Sequence, residues 1–188
     1  MKSTGLKQSR KGFTLVELLV VISIIAVLAA LGGGAAVKAL NKSRELAAQQ
    51  AATSIVVGIQ NFYDEYGTYP VTGTTSNDFD GRSDENVMNH LLGLDTSINT
   101  KGIRFVSIKE GKGKKGGIIY EGGGNTATLT DPWGEEYYVV MDGNFDEELQ
   151  GPNDGSSNQT IRGKRAIAYS GGGDKDPNTR KDNSYSYK

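Results

Sequence analysis

The sequence predicts an α+β fold in which a long N-terminal helix packs on a small antiparallel β-sheet with long loops. Two observations support this prediction. Residues 13–66 contain no proline, are apolar at first and are then rich in Ala, Leu, Gln and Lys, which favour helices. After Gly67 the chain changes to short apolar segments separated by polar, glycine-rich segments, which is the pattern of short strands and turns.

The first part of the predicted helix, residues 13–31, is apolar except at Thr14, Glu17 and Ser23. Nineteen helical residues extend roughly 28 Å, close to the ~30 Å hydrocarbon thickness of a bilayer. We therefore expect this segment to cross a membrane once. It follows a short leader that carries four cations, namely Lys2, Lys7, Arg10 and Lys11.

A cleaved secretory signal peptide is the competing interpretation of this N-terminus. The basic leader, the apolar segment and the small residues around Ala29 and Ala30 all fit it. Glu17 argues against it, because an acid inside the apolar core of a signal peptide lowers insertion. An ionisable residue within a membrane segment instead indicates a functional role with a partner.

Residues 11–20, with the sequence KGFTLVELLV, resemble the class III signal of type IV pilins and type II secretion pseudopilins. The resemblance implies cleavage after Gly12 by a prepilin peptidase at the cytoplasmic face, followed by N-methylation of Phe13. It also implies assembly through this helix. Glu17 of one subunit would pair with the Phe13 amine of its neighbour, so that neither charge stays unpaired in an apolar bundle. The alternative is a simple anchor in which Glu17 reaches the interface from the helix end.

Residues 35–66 continue the helix with an apolar stripe at offsets of 0, 4, 7 and 11, formed by Ile55, Ile59, Phe62 and Tyr66. We expect this stripe to pack against the sheet. Gly67 is placed to cap the helix, and Pro70 prevents its resumption. The glycines at residues 32–34 mark either a weak point of the helix or a plain hinge at the membrane exit.

The remainder of the chain, residues 67–188, is predicted to form a β-rich domain. A polar loop covers residues 71–84, and a short helix capped by Ser83 runs to Leu92 and ends at Gly93. Strands are predicted at residues 103–108, 117–121, 135–141 and 164–170, with residues 111–116 as a hairpin loop between the first two. His90 has no partner motif around it, so we interpret it as a surface residue without a catalytic role.

The segment Asp131-Pro132-Trp133-Gly134 is a predicted turn with proline at its second and glycine at its fourth position. It resembles the Asp-Pro-Trp-Gly signature of the major pseudopilin of type II secretion and its relatives. Trp133, the only tryptophan, is expected to anchor the sheet on the long helix. An ordinary tight turn also accounts for these four residues.

Two acidic segments are candidate calcium sites. Asp142, Asn144 and Asp146 have the alternating spacing that opens a calcium loop, although the residues that follow do not continue an EF-hand. Asp174, Asp176 and Asp182 lie in a C-terminal loop that resembles the calcium-binding loop of major pseudopilins. An acidic surface turn is the alternative there. Oxygen ligands favour Ca²⁺ over Zn²⁺, and a metal that closes a loop suits a chain without cysteine.

Composition and motifs together indicate a structural subunit. The formal net charge of −1 gives no indication of nucleic-acid binding, and no catalytic constellation is present in the sequence. We divide the chain into a leader (1–12), a transmembrane and assembly helix (13–34), its amphipathic continuation (35–66) and a periplasmic domain (67–188). The resemblance implies an inner-membrane pseudopilin that forms a homopolymer with the help of minor pseudopilins, prepilin peptidase, a platform protein and an ATPase.

Two alternatives to the secretion pseudopilin remain open at this point. The first is a type IV pilin of a surface fibre used in adhesion, motility or DNA uptake, which shares the N-terminal motif. The second is a membrane-tethered binding protein that never polymerises.

Overall fold

The structure is a computed structural model that describes residues 12–72, 77–152, 159–179 and 181–187, with only the backbone described at residues 30–33 and 35. The first element is helix α1, Leu15–Tyr66, which has 52 residues. The chain divides into two compact units, one ending at Asn41 and the other beginning at Lys42.

In the first unit the backbone of α1 remains helical through the glycines at residues 32–34. The large apolar side chains described in this unit are exposed, with exposed fractions between 46% for Val21 and 86% for Leu15. Within the part of the chain that the structure describes, no helix is both long enough and apolar enough to span a membrane.

The second unit adds one short helix and eight short strands among its described residues. In chain order these are β1 (Phe79–Arg82), α2 (Glu85–Leu92), β2 (Gly117–Glu121), β3 (Thr126–Thr130), β4 (Tyr138–Met141), β5 (Glu148–Gln150), β6 (Thr160–Arg162), β7 (Ala166–Ser170) and β8 (Ser184–Tyr185). A four-stranded antiparallel sheet has the order β1-β4-β7-β8, while β2–β3 and β5–β6 form two separate hairpins. The predicted α+β fold is confirmed.

The main core lies between α1 and one face of the four-stranded sheet. Ile55, Ile59 and Phe62 are fully buried, as the apolar stripe predicts, and Ala48 and Ala52 extend the stripe toward the N-terminus. Because side chains alternate along a strand, Val139 and Met141 face this core, whereas Val140 belongs to a second cluster on the other face. The β5–β6 hairpin covers that second cluster with Leu149 and Ile161.

The predicted hairpin between residues 103–108 and 117–121 is wrong. β2 pairs instead with β3, through a turn at Gly122–Gly124. Residues 103–108 form no strand because they lie against α1, where an added Cβ at Gly58 would overlap the side chain of Val106. The backbone N–H of Phe105 donates to the carbonyl of Leu91 at 2.8 Å, which replaces a strand partner.

Three smaller predictions for this unit are also corrected. The N-cap of α2 is Asp84, because the Ser83 hydroxyl donates to the Leu129 carbonyl at 2.6 Å and thereby ties the helix start to β3. His90 is buried at 4% exposure, since it lies on the covered side of α2. The predicted loop at residues 71–84 contains β1, which pairs with β4.

Gly93 and Gly67 end α2 and α1 in left-handed conformations, as predicted.

Candidate functional site

The start of α1 contains a reciprocal hydrogen-bonded pair, Thr14 and Glu17. The backbone N–H and the hydroxyl of Thr14 both donate to the Glu17 carboxylate at 2.8 Å. In return, the backbone N–H of Glu17 donates to the Thr14 hydroxyl at 3.2 Å. This is a capping box, in which two side chains satisfy the free N–H groups at a helix N-terminus.

The capping box supplies a local role for the one acid of the apolar segment. Sequence reasoning missed it, although the spacing Thr-x-x-Glu before an apolar run is its signal. Phe13 directly precedes the box and is exposed, and Gly12 has open space around its backbone. The predicted cleavage point therefore lies at an accessible helix end, and the leader before it lies outside the described residues.

The Asp131–Gly134 turn is organised by one buried carboxylate. Asp131 is 0% exposed, and one of its oxygens accepts the backbone N–H groups of Trp133, Gly134 and Glu135 at 2.8–2.9 Å. Gly134 adopts a φ of 100°, a conformation that favours glycine. Trp133 is half-buried and packs against the main core.

The same carboxylate connects this turn to the C-terminal loop. Its second oxygen accepts the hydroxyl of Ser170 at 2.6 Å, and that hydroxyl oxygen accepts the N–H of Gly172 at 3.0 Å. Lys175 of the loop forms an ion pair with Glu135 at 2.8 Å. The turn thus fixes the point at which the C-terminal loop leaves β7.

In the C-terminal loop, the three predicted calcium ligands mainly accept local hydrogen bonds. One oxygen of Asp182 accepts the N–H groups of Gly173 and Asp174 at 2.7 and 3.1 Å. Asp174 accepts the Thr179 hydroxyl and the N–H of Asp176, and these bonds hold the pKa of its carboxyl below the usual value. The other oxygen of Asp182 is buried and has no hydrogen-bond partner among the described residues.

A second acidic group lies at the end of β4, where Asp78, Asp142 and Asp146 each place a carboxylate oxygen within 4.8 Å of the others. Within the described ranges it is the only group of three or more acidic, His or Cys side chains that meet so closely. The chain around Asn77 passes very close to Gly143, which brings Asp78 beside the predicted Asp142–Asp146 loop. Sequence reasoning could not find Asp78, because it is 64 positions away from Asp142 in the chain.

Asp142 is buried and Asp78 is half-buried, whereas Asp146 is exposed to solvent. Burial raises the pKa of Asp78, and the charges of Asp142 and Asp146 raise it further. One oxygen of Asp78 is buried without a hydrogen-bond partner in the described structure. Asp142 is 2% exposed, and its oxygens accept the N–H groups of Asp146 and Glu147 at 3.2 and 3.1 Å. This arrangement has the oxygen ligands that a divalent cation prefers.

Comparison with known proteins identifies a family motif at the N-terminus of the chain. Residues 7–33 match the family described as the prokaryotic N-terminal methylation motif, which is the motif of prepilin-type N-termini. The chain is 31% identical over 144 residues to the type II secretion system core protein G of Aeromonas hydrophila. The aligned region covers 74% of this chain and 78% of that relative. The chain therefore belongs to the family of type II secretion core protein G, the major pseudopilins. No solved structure gives a significant match.

Proposed function

We propose that the chain is the filament subunit of a type II secretion system. A prepilin peptidase cleaves it after Gly12 and Phe13 is methylated. Residues 13–31 then hold the unassembled subunit in the inner membrane, with the second unit in the periplasm. The observation that carries this proposal is the exposed apolar start of α1, whose single acid, Glu17, is the fifth residue after the proposed cleavage point.

Glu17 has two successive partners in this proposal. In the single chain it accepts hydrogen bonds from its own Thr14 through one carboxylate oxygen. In the filament, the amine of a neighbour's Phe13 joins or replaces Thr14, and a charge-assisted hydrogen bond forms between subunits. The capping box keeps the acid satisfied during the time that the subunit spends in the membrane.

The proposed role is structural, because the family consists of pilin-like subunits. The partners follow from the family, and comprise further copies of the chain, minor pseudopilins, the peptidase, a platform protein and an ATPase. A type IV pilin of a surface fibre shares the N-terminal motif and is the alternative function. The genes beside the gene for this chain distinguish the two functions, because a secretion pseudopilin is expected in a secretin-linked secretion cluster and a pilin in a pilus cluster.

Expression of the full chain with and without a prepilin peptidase and the assembly machinery tests the proposal. The mass of the N-terminal peptide should correspond to methylated Phe13 only when the peptidase is present. Filaments should appear by electron microscopy in the fraction sheared from cells that contain the complete machinery. A processed chain that yields no filaments under these conditions would contradict the proposal.

We further propose that the second unit binds a structural Ca²⁺ ion, and that Asp78, Asp142 and Asp146 are better candidates than the C-terminal set. Three carboxylates from two chain segments converge, and the unbonded Asp78 oxygen is available as a ligand. Asn144 lies between two of these acids, but its amide is bonded to Asp146. Asp174, Asp176 and Asp182 remain a prediction, which the buried, unbonded oxygen of Asp182 supports. A thermal melt with calcium and with chelator tests both sets.

A further inference from the structure

A cationic groove lies beside α1 in the second unit. One wall is the face of α1 that carries Arg44, Ala47 and Ala51, and its volume is ≈ 600 Å³. The opposite wall is formed by residues 107–109, Gly116 and Gly117, together with Thr130, Pro132 and Tyr137. Arg44 and Lys109 are the charged residues of its lining, which contains no carboxylate among the described residues. Neither cation forms an ion pair within the described part of the chain. The groove is therefore suited to an anionic, partly apolar partner.

The loop after β4 carries a projection with the complementary character. Phe145 is 62% exposed, which makes it the most exposed large apolar side chain described from Lys42 onward. It is followed by Asp146 and Glu147, which are both exposed. Phe145 and Glu147 have φ angles of 60° and 61°, a left-handed conformation that non-glycine residues adopt at a cost of about 1–3 kcal/mol. The loop thus presents an exposed aromatic ring that is followed by two acids, while the ring also lies near the rings of Tyr63 and Tyr69.

The groove and the projection lie at different levels along α1. The ring of Phe145 is 6.3 Å from the ring of Tyr63, whereas Ala47 lines the groove. These two α1 positions are sixteen apart in the sequence, which corresponds to roughly 24 Å along the helix. A contact between the two features on different copies is head-to-tail, and such contacts repeat into an open filament when the rotation does not close a ring.

We propose that Phe145 of one subunit docks into the groove of a second copy of this chain, where Arg44 and Lys109 pair with the exposed Glu147. An aromatic anchor surrounded by complementary charges is the usual composition of an interface centre. This inference rests on the proposed function, and it assigns a second assembly contact outside the N-terminal helix. It relates contacting subunits by a shift of roughly 24 Å along α1.

Cross-linking in filaments tests the contact, and the chain contains no cysteine that would interfere. We combine Phe145→Cys with Ala47→Cys in the full chain and treat sheared filaments with a short bismaleimide. Each subunit then offers both halves of the contact, so a denaturing gel should show a ladder of chain multiples. Either single variant should stay monomeric, and so should Leu94→Cys combined with Ala47→Cys, because Leu94 is exposed but lies outside the loop.

Filaments of the double variant that yield no ladder would overturn this contact and leave the proposed function intact. Absence of filaments from the unaltered chain would overturn both. A cross-link to a protein of different mass would place another partner in the groove and overturn the inference.

Charge exchange provides a second test that needs no cysteine. Glu147→Lys and Lys109→Glu should each reduce filament yield several-fold, and their combination should restore it. Full yield from both single variants, or no recovery in the combination, would contradict the contact.

Discussion

Asp131 and Asp142 are both buried aspartates that directly follow a strand, β3 and β4 respectively, and their surroundings differ. The oxygens of Asp131 accept three backbone N–H groups and the Ser170 hydroxyl, all within the Asp-Pro-Trp-Gly turn and its contact with β7. Asp142 accepts two N–H groups but also lies beside Asp78 and Asp146. The same residue type is surrounded by donors in one place and by other acids in the other.

This difference separates two uses of a buried carboxylate. Donors that converge on Asp131 stabilise its charge, so the residue holds the turn together without any ligand. Around Asp142 the neighbouring groups are acids instead, and in our proposal a bound cation neutralises them. We therefore expect mutations at Asp131 to act in every solvent condition, and mutations around Asp142 to act mainly when calcium is present.

The largest effect is expected for Asp131→Ala. It removes four hydrogen bonds and leaves the partly buried N–H groups of Trp133 and Glu135 without this acceptor, which should lower the free energy of unfolding by about 3 kcal/mol. Urea denaturation of the full chain in detergent, followed by Trp133 fluorescence, measures it. Asp131→Asn retains an acceptor oxygen and should cost less. If both variants lowered the free energy of unfolding equally, the hydrogen bonds that the Asp131 side chain accepts would not be the cause of the loss.

The next effect is the response to calcium. At a calcium concentration of 100 times Kd, binding to the folded state alone stabilises it by about 2.7 kcal/mol. The melting temperature should therefore rise with calcium and fall with chelator. Asp142→Asn should abolish this response, while Asp182→Asn should retain it. The reverse result would assign the ion to the C-terminal loop, and an unchanged melting temperature in the unaltered chain would remove both sites.

The smallest effect is expected at the Glu135–Lys175 ion pair. Both side chains are about half exposed, at 40% and 51%, and exposed pairs contribute about 0–1 kcal/mol. Lys175→Met should therefore change the free energy of unfolding by less than about 0.5 kcal/mol in the same urea experiment. A loss as large as that of Asp131→Ala would show that the ion pair, and not Asp131, attaches the C-terminal loop to the turn.

Local patterns predicted much of this fold. The α1 stripe, the glycine caps of both helices and the Asp131 turn follow from spacing within a few residues. The segment 103–108 alternates like a strand but packs on α1, because tertiary contacts at Gly58 and Leu91 override its local preference.

The candidate sites divide in the same way. Gly12, Phe13 and Glu17 lie close together in the chain, so the sequence alone was sufficient to propose them, and their roles in processing and assembly stay predictions. The capping box was also local and could have been predicted from Thr14 and Glu17. Asp78 could not be predicted from the sequence, because only the pairing of β1 with β4 brings it to the loop that follows β4.

Assembly through the charge of Glu17 is the central claim, and the capping box suggests the most direct test of it. Glutamine can replace glutamate in a capping box but carries no charge, so Glu17→Gln keeps the helix cap and removes only the partner for the Phe13 amine. Electron microscopy of sheared filaments compares this variant with Glu17→Ala and the unaltered chain. The account predicts that both variants lose filaments. Normal filaments from Glu17→Gln would contradict it and would leave Glu17 as a helix cap alone.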